Sequence, residues 1–382
     1  MEPSDFANQA PGKLVKGFEG YWAFVPDPLP PQLQMNTTTI KKLSAADFAL
    51  GELQGVGQML PNPQLLIDPF LRREAMLSSR MEGTIASLDQ LFLFEVEPSR
   101  EHPQSDVKEV ANYVTTMKYG LDRLNELPVS LRLIRELHER LLTDVRGQNR
   151  RPGEFRQTQN STGQPGRPIE EARYVPPPAA QMTQALSEFE LYLHSSSDLP
   201  FLIQLSLIHY QFEAIHPFLD GNGRIGRLLI SLLLWGKGYL AQPLLYLSPY
   251  FEKNRGTYID LLLRVSQADQ WSEWIDFFLD GVTEQSRDTV IRHGRLLALQ
   301  RDYRERTQTA RASALQLQLV DYLFAFPAIT VAAAQTSLDV TYASALRNIE
   351  KLVALGILQE VTGQRRNRIY AATEIIGIID EP

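Results

Sequence analysis

The sequence predicts a mostly α-helical protein that ends in a compact unit of three helices and a β-hairpin. Apolar residues recur at helical spacing along much of the chain, as Leu205, Ile208 and Phe212 do within residues 200–214. This period places them on one buried helix face. Near the C-terminus, two short strand patterns flank a polar turn at residues 363–367. These observations favour a helical main body followed by a small mixed unit.

Breaks between the apolar patterns give the order of the predicted elements. Residues 1–60, proline-rich around residues 26–31, predict an extended arm, although an SH3-type ligand is an alternative. The first helical patterns cover residues 69–94, two segments within 106–145, 179–194, 200–214 and 228–235. A charged helical link at 281–310 then leads to helices at 315–324, 331–337 and 342–355 and strands at 356–358 and 368–370.

Composition limits the classes of protein to consider. The chain has 382 residues, 43% of them hydrophobic, which suffices for about two or three folded domains. Its 38 basic and 45 acidic residues give a net charge of −7, so no general attraction to nucleic acid or to an anionic membrane is expected. The absence of cysteine excludes disulfides, thiolate zinc sites and a cysteine nucleophile.

The sequence also predicts where the protein acts. The N-terminal residues carry neither a basic start nor an apolar stretch, as a secretory leader would. The apolar run Leu228–Trp235 is far shorter than the ~20 residues that span a bilayer. A cytoplasmic protein with no membrane partner is therefore expected.

The segment from His216 to Arg227 carries residue types that phosphate chemistry needs. Its sequence is His-Pro-Phe-Leu-Asp-Gly-Asn-Gly-Arg-Ile-Gly-Arg, and an apolar run follows directly. The run predicts a buried helix, so the segment's glycines lie at a helix N-terminus, where unpaired N–H groups bind anions. His216 can accept a proton near neutral pH, and the carboxylate of Asp220 is the hard oxygen ligand that magnesium prefers.

Two glycines and two arginines complete this pattern. Gly221 and Gly223 allow a ligand to approach the backbone closely. Arg224 and Arg227, three residues apart on the predicted helix, can grip successive phosphates through forked, charge-assisted hydrogen bonds. A plain helix-capping loop explains the aspartate, asparagine and glycines but not the arginine pair, so a phosphate-binding site is the better interpretation.

The same segment resembles the signature of the Fic family, His-Pro-Phe-x-Asp-Gly-Asn-Gly-Arg-x-x-Arg, at every specified position. The resemblance implies a mostly helical domain with a small β-hairpin flap. It implies transfer of AMP from ATP to a Ser, Thr or Tyr hydroxyl of a protein, including the enzyme itself. His216 would be the general base and Asp220 the magnesium ligand. The resemblance implies a phosphate cradle of Gly221, Asn222, Gly223, Arg224 and Arg227.

An inhibitory motif precedes this segment. Ser78 and Glu82 lie four residues apart in a predicted helix and share one face, and Gly83 follows them. The pattern resembles the inhibitory motif of the Fic subclass that carries it ahead of the catalytic domain. The resemblance implies that Glu82 pairs with Arg227 and occupies the guanidinium that the γ-phosphate needs. A glutamate on a solvated surface is the alternative interpretation.

Two further segments resemble parts of the Fic site. Residues 163–167 and 173–178 bracket a segment similar to the flap, a hairpin whose exposed edge pairs with the target backbone. A plain surface hairpin is the alternative. Residues 250–255 are similar to the segment beside the adenine, which implies Tyr250 and Asn254 as base contacts, although the tyrosine ring equally suits the core.

The other histidines lack site-like neighbours in the sequence. His209 precedes the motif without a carboxylate at metal-ligand spacing. Packed or surface positions are therefore expected for His102, His138, His194, His209 and His293.

The C-terminal pattern resembles the winged helix-turn-helix unit that is often appended to Fic proteins. Residues 341–370 carry five basic and two acidic side chains, and five minus two gives a local charge of +3. Arg347 and Asn348 would face a DNA groove while arginines of the wing contact phosphates. Winged helices also dock proteins or form homodimers, so DNA and protein partners both stay open.

Together these patterns predict a magnesium-dependent protein adenylyltransferase that inhibits itself. Two alternatives stay open: an enzyme that removes AMP from a modified protein with Glu82 directing the water, and a DNA-binding regulator that senses nucleotide. The predicted parts are an N-terminal arm and inhibitory helix (1–105), a Fic catalytic domain (106–290), a helical linker (291–310) and a winged-helix domain (311–382).

Overall fold

Helices dominate the architecture, as the sequence predicted. The computed structural model describes residues 1–17, 20–58, 64–97, 106–163, 168–310, 313–364 and 367–381. The helices of these ranges are α1 (Thr37–Gln58), α2 (Gln64–Met81), α3 (Leu88–Val96), α4 (Asp106–Arg123), α5 (Leu131–Leu141), α6 (Ala179–His194), α7 (Phe201–Ile215), α8 (Asn222–Gly236), α9 (Ser248–Lys253), α10 (Arg255–Ala268), α11 (Trp271–Thr309), α12 (Ala314–Ala325), α13 (Val331–Leu338), α14 (Tyr342–Ala354) and α15 (Thr373–Asp380).

Two small antiparallel sheets accompany the helices. The first is a hairpin in which Leu14 pairs with Phe24. In the second, β5 lies between β3 and β4, and Ile329 pairs with Tyr370. The strands are β1 (Gly12–Lys16), β2 (Trp22–Pro26), β3 (Ala328–Thr330), β4 (Gln359–Glu360) and β5 (Ile369–Ala371).

The helices α7 and α8 form the centre of the molecule and flank the predicted phosphate loop. Leu205 and Phe212 of α7 and Leu228 and Leu232 of α8 are fully buried, and each such side chain contributes roughly 1.5–3 kcal/mol. The long helix α11 packs on α7, and the indole of its Trp274 donates to the Ser206 carbonyl at 3.0 Å. The apolar periodicity of these helices therefore fixes both ends of the loop. No helix of the described ranges has the length and apolar character needed to cross a membrane.

The extended arm predicted for residues 1–60 is wrong in part. The hairpin of β1 and β2 and the whole of α1 lie within it. Ala46, Ala49 and Leu53 are buried along one face of α1, which packs on α11. Thr39 Oγ1 donates to Asp276 of α11 at 2.7 Å. The small side chains of Ala46 and Ala49 give this face little apolar surface. Its helical pattern was therefore weaker in the sequence than the proline-rich stretch at residues 26–31, which predicted an extended arm.

The helix predicted over residues 69–94 is divided in two. Gly83 adopts φ +88° after the end of α2, a backbone conformation that favours glycine. Ser87 then caps α3 by accepting a hydrogen bond from the Gln90 N–H at 3.2 Å. The break leaves Glu82 just beyond the end of α2 rather than inside a helix.

The C-terminal unit contains the three predicted helices as α12, α13 and α14. Its second predicted strand is present as β5, the first lies slightly later, at β4, and β3 was not predicted. The element order is compatible with a winged helix, and that assignment stays a prediction, as do the domain boundaries. The wing arginines at positions 365 and 366 lie outside the described residues.

Candidate active site

His216 lies at the junction of α7 and the loop. It takes a left-handed conformation, φ +48°, which ends α7. Its Nδ1 lies 3.3 Å from the carbonyl of Glu213, so Nδ1 carries the proton and Nε2 is left to accept one. Burial lowers the pKa of His216 to about 4, against the opposing effect of the Glu213 carbonyl. The imidazole is therefore neutral at neutral pH, and its Nε2 can accept a proton.

The loop after His216 is tied to the start of α8. The side-chain oxygen of Asn222 accepts from the Phe218 N–H at 2.8 Å, and its amide nitrogen donates to the Phe218 carbonyl at 2.8 Å. Gly221 precedes α8 with φ +78°, which a residue with a side chain rarely adopts. The first N–H groups of α8 thus lie at its electropositive end, beside His216. The Asn222 side chain therefore fixes the loop through its two hydrogen bonds to the Phe218 backbone.

Arg156, which the sequence did not single out, supports the loop from behind. It is almost fully buried, and burial lowers its pKa to about 10. Its Nε donates to the His216 carbonyl at 2.9 Å, and its NH2 group donates to the carbonyls of Ile215 and Pro177. One side chain therefore joins the end of α7 to the segment at residue 177.

Asp220 is accessible enough to bind a cation, since its side chain is 37% exposed. Its Oδ1 accepts from the Gly221 N–H at 2.6 Å. A Cβ on Gly147 would lie 2.7 Å from its Oδ2, so the glycine leaves room at this oxygen. The described residues contain no group of three metal-ligating side chains. One carboxylate fits magnesium, which usually keeps waters and substrate phosphates as its other ligands.

Arg227 is held by the predicted inhibitory segment, residues 78–83. Its Nε donates to Ser78 Oγ at 2.9 Å, and its NH2 group donates to the Ser78 carbonyl at 2.8 Å and to Glu82 Oε1 at 2.7 Å. Burial acts to lower the pKa of Arg227, but Glu82 and other neighbours raise it above its ordinary value. Arg255 donates to the Met81 carbonyl at 3.1 Å and secures the end of α2. The contact predicted between Glu82 and Arg227 is thus present.

Glu82 reaches Arg227 across Gly223. A Cβ at Gly223 would collide with Glu82 Oε1, so the glycine of the motif permits the contact. Burial acts to raise the pKa of Glu82, but Arg227, Arg224 and His216 lower it below its ordinary value. The carboxylate is therefore ionised at neutral pH and pairs with a charged guanidinium.

The other motif arginine, Arg224, meets a different carboxylate. Its NH1 group lies 3.4 Å from Oε2 of Glu109, and both side chains are 1% exposed. The hydroxyl of Thr84 donates to the same carboxylate at 2.9 Å, and Arg146 pairs with it at 3.3 Å. Both motif arginines are therefore paired with acids in this conformation. Glu109 could not be predicted from sequence spacing, because it lies 115 residues from its partner.

A cavity of about 760 Å³ opens beside this site. Its lining joins the end of α2, the loop, and a turn in which Thr162 pairs with Tyr174 in an isolated bridge. The predicted flap tip at residues 164–167 lies outside the described residues. The cavity is lined by Met81, Glu82, Thr162, Gly163, Glu171, Arg173, Tyr174, Tyr210, Glu213, Ala214, His216, Gly223, Arg227, Arg255, Tyr258, Ile259, Leu262, Leu263 and Ser266.

The two predicted base contacts lie outside the lining of this cavity. Tyr250 packs on Phe277 with ring centroids 4.9 Å apart, and burial raises its pKa to about 12. The side chain of Asn254 donates to the Tyr250 carbonyl at 2.9 Å. The structure does not bring either residue to His216, and helix α10 supplies apolar lining instead. Their role at a base stays a prediction.

Glu213 is a buried acid of the cavity that the sequence did not single out. Burial raises its pKa to about 7, while Arg227 lowers it and Glu82 raises it. Its Oε1 has no hydrogen-bond partner among the described residues. A Cβ at Gly226 would collide with this oxygen, so the glycine leaves room for the carboxylate. At neutral pH, Glu213 is therefore partly protonated beside Arg227.

The expectation for the other histidines holds at three of the four described positions. His209 is packed, with Nε2 2.9 Å from the hydroxyl of Tyr258, and His293 is buried on α11. His194 is exposed, and His102 lies outside the described residues. His138 is buried against the motif loop, so the expectation that it has no site-like neighbours is wrong.

The motif residues of this site lie within two segments that match known families. Residues 40–122 match the family described as Fic/DOC family N-terminal, and residues 128–234 match the Fic/DOC family itself. The chain therefore contains a Fic N-terminal region and a Fic domain. The second match contains His216, the loop and both motif arginines, and the first contains Ser78 and Glu82.

Curated Fic relatives match a shorter stretch. The protein adenylyltransferase Fic of Drosophila grimshawi is 36% identical over 134 residues, which are 34% of this chain and 26% of that protein. The Drosophila virilis protein of the same name is 36% identical over 134 residues, 34% of this chain and 25% of that protein. The chain therefore spans about a quarter of the length of these curated relatives.

A solved structure shares the wider Fic architecture. The crystal structure of a Fic family protein from Desulfovibrio desulfuricans G20 superposes with a TM-score of 0.55 at 16% identity. The match covers 90% of this chain and 98% of that one. At this identity the likeness shows a common fold.

Proposed function

We propose that this Fic protein is a protein adenylyltransferase that transfers AMP from ATP to a Ser, Thr or Tyr hydroxyl, on itself and on a target protein. One observation carries the proposal: the neutral imidazole of His216, the N-terminal end of α8 and the guanidinium of Arg227 meet at one cavity. The names of the Drosophila relatives are consistent with it.

Residues of the loop and of α8 carry out different parts of the reaction. Nε2 of His216 accepts the proton of the attacking hydroxyl as its oxygen bonds to the α-phosphorus. The bond from the α-phosphorus to the bridging oxygen breaks, and pyrophosphate leaves. The N–H groups at the start of α8 stabilise charge on the α-phosphate, and Arg224 and Arg227 hold the β- and γ-phosphates. Asp220 would hold magnesium, which neutralises phosphate charge when bound.

The base of the nucleotide is best placed against α10. The side chains of Tyr258, Ile259, Leu262 and Leu263 line one part of the cavity. They offer aromatic and apolar surface of the kind that stacks on a flat base. This placement supports a bound nucleotide and makes these residues further candidates beside Tyr250 and Asn254.

The target hydroxyl would enter from the flap side of the cavity. Thr162 and Tyr174 pair there as a short bridge, and a target backbone can extend such an edge by strand pairing. The C-terminal unit would dock DNA or another protein, including a second copy of the chain. Its helix α14 presents Tyr342, Arg347 and Lys351 to solvent, which supports an interface of either kind.

The inhibitory segment would set the resting rate of the reaction. Glu82 and Ser78 occupy the Arg227 guanidinium, which the γ-phosphate would otherwise bind. We propose that ATP binds to the resting enzyme in an unproductive pose until the end of α2 moves away from Arg227.

Intact mass spectrometry tests the transferred group directly. The purified chain and its Glu82→Gly variant are incubated with ATP and magnesium, and the variant is expected to gain one AMP per modified site. The same variant carrying His216→Ala, and a reaction with chelator in place of magnesium, are the controls. A mass gain equal to a phosphate, or no gain in either protein, would contradict the proposed function.

A further inference from the structure

His138 on α5 makes two contacts with the motif loop, residues 216–221, and a third with Gly153. Its Nδ1 lies 2.9 Å from the N–H of Gly153, and its Nε2 lies 2.9 Å from the carbonyl of Asp220. Its ring stacks on Phe218 at a centroid distance of 3.7 Å and an interplanar angle of 5°. The side chain is fully buried, so water does not replace these contacts.

These partners fix the tautomer of His138. A backbone N–H can only donate, so Nδ1 accepts from Gly153. A carbonyl can only accept, so Nε2 carries the hydrogen and donates to Asp220. Because the peptide unit is planar, holding the Asp220 carbonyl also sets the direction of the Gly221 N–H.

We infer that His138 is a positioning residue for the metal-binding and phosphate-binding loop. It holds the backbone of Asp220, whose carboxylate is the candidate magnesium ligand, and orients the peptide that leads into α8. The partner that orients a metal ligand typically matters by about 10–100-fold in metal affinity or activity. The inference rests on the proposed function, and sequence spacing gives no sign of it because His138 lies 82 residues from Asp220.

Two substitutions of His138 each keep only one of its hydrogen bonds, the one with Gly153 or the one with Asp220. The amide of His138→Asn reaches the Nδ1 position and can still accept from Gly153, but it is too short for Asp220. The amide of His138→Gln reaches the Nε2 position and can donate to Asp220. Both are made in the Glu82→Gly background, with His293→Gln as a control at a buried histidine remote from the loop. The readouts are AMP transfer against magnesium concentration, binding of manganese and ATP by electron paramagnetic resonance, and melting temperature.

We expect His138→Asn to need roughly 10–100-fold more magnesium and to bind manganese and ATP more weakly by a similar factor. His138→Gln should stay within about threefold of its parent, and His293→Gln should match the parent. Equal metal dependence in the Asn variant and the parent would overturn the inference. Equal losses in the Asn and Gln variants that follow melting temperature would also overturn it. An inactive Glu82→Gly parent would instead count against the proposed function, and manganese binding would still test the positioning role.

A separate set of contacts joins the inhibitory helix to the C-terminal unit. Arg72 of α2 is almost fully buried. Its Nε donates to the carboxylate of Glu95 at 2.7 and 2.9 Å, and its NH1 group donates to the carbonyl of Ala325 at 3.2 Å. Ala325 ends α12, where helix carbonyls carry partial negative charge.

The next residue of α2 makes the same kind of contact with another helix end. Arg73 pairs with Asp288 of α11 at 3.3 Å and donates to the Glu381 carbonyl at 3.3 Å, just beyond α15. Adjacent arginines thus bind the ends of two C-terminal helices, about one and a half turns before Ser78. A helix held in this way cannot rotate or slide without breaking charged hydrogen bonds.

We propose that the C-terminal unit clamps α2 and thereby keeps Glu82 on Arg227. This proposal also rests on the proposed function. In the otherwise wild-type chain, Arg73→Gln is expected to raise AMP transfer roughly three- to tenfold, because the loss of a charged hydrogen bond favours displacement of α2. In the Glu82→Gly background the same substitution should have no effect. Arg304→Gln, which breaks the exposed 2.8 Å pair with Asp321 between α11 and α12, is the control.

Comparing Arg73→Gln in the wild-type chain and in the Glu82→Gly background tests the clamp separately from the proposed function. An unchanged rate in Arg73→Gln, or an equal increase in both backgrounds, would refute the clamp. Activation by Arg304→Gln to the same extent would show that general loosening, rather than the contact with α2, is responsible. If Glu82→Gly itself transfers no AMP, the proposed function fails and hydrogen exchange of α2 in Arg73→Gln tests the clamp alone.

Discussion

Replacing Glu82 with glycine is expected to raise AMP transfer at least about tenfold, because a charged hydrogen bond contributes roughly 1.5–3 kcal/mol. The Glu82 carboxylate lies 2.7 Å from Arg227 and covers Gly223. Removing the carboxylate leaves the Arg227 guanidinium accessible to the γ-phosphate and the start of α8 accessible to the other phosphates. Ser78 still contacts Arg227 in the variant, so the effect isolates the carboxylate. Rates with α-labelled ATP measure the change.

Glu82→Gln provides a graded comparison for this prediction. The amide keeps the size of the side chain and one hydrogen bond but removes the charge, so an intermediate rate is expected. Equal rates in the wild type and Glu82→Gly would reject inhibition by this contact. The alternative enzyme, which removes AMP, requires Glu82 to direct water, so Glu82→Gly would abolish that activity.

The local parts of the site were predictable from sequence. The glycines, the paired arginines and the apolar run after them fix a helix start next to a histidine, and Gly221, Arg227 and His216 lie as that pattern requires. Each of these features depends on residues within one or two turns of one another. Periodicity likewise located α6 and α7 to within a residue.

The supporting residues depend on contacts distant in the chain and were not predictable. His138, Arg156 and Glu109 bind the loop or Arg224 across 60 or more residues. The sequence alone does not distinguish a buried polar residue that supports a site from any other polar residue, because its partners lie far away in the chain. The same reason explains Tyr250, whose sequence neighbourhood suggested a base contact but whose ring packs on Phe277.

Replacing His216 with alanine is expected to lower AMP transfer by roughly 10²–10⁴-fold in the Glu82→Gly background, the usual contribution of a general base. Affinity for ATP should change little, since Arg224, Arg227 and the start of α8 hold the phosphates. Single-turnover transfer and calorimetric ATP binding separate these two quantities. A variant that keeps most of its automodification would contradict the assigned base.

The acidity of the same imidazole sets the pH dependence of the reaction. The pKa of His216 is lowered to about 4 by burial, and a base acts only when unprotonated. Transfer by Glu82→Gly should therefore persist well below pH 6.5, the ordinary pKa of histidine, and fall as the pH approaches about 4. Glu213, with its pKa raised to about 7, becomes protonated at higher pH than His216 does. Because a neutral Glu213 repels phosphate less, affinity for ATP should rise as the pH falls from 8 to 6, whereas transfer should fall only as the pH approaches about 4. The different pH ranges of the two measurements distinguish the base from its neighbour.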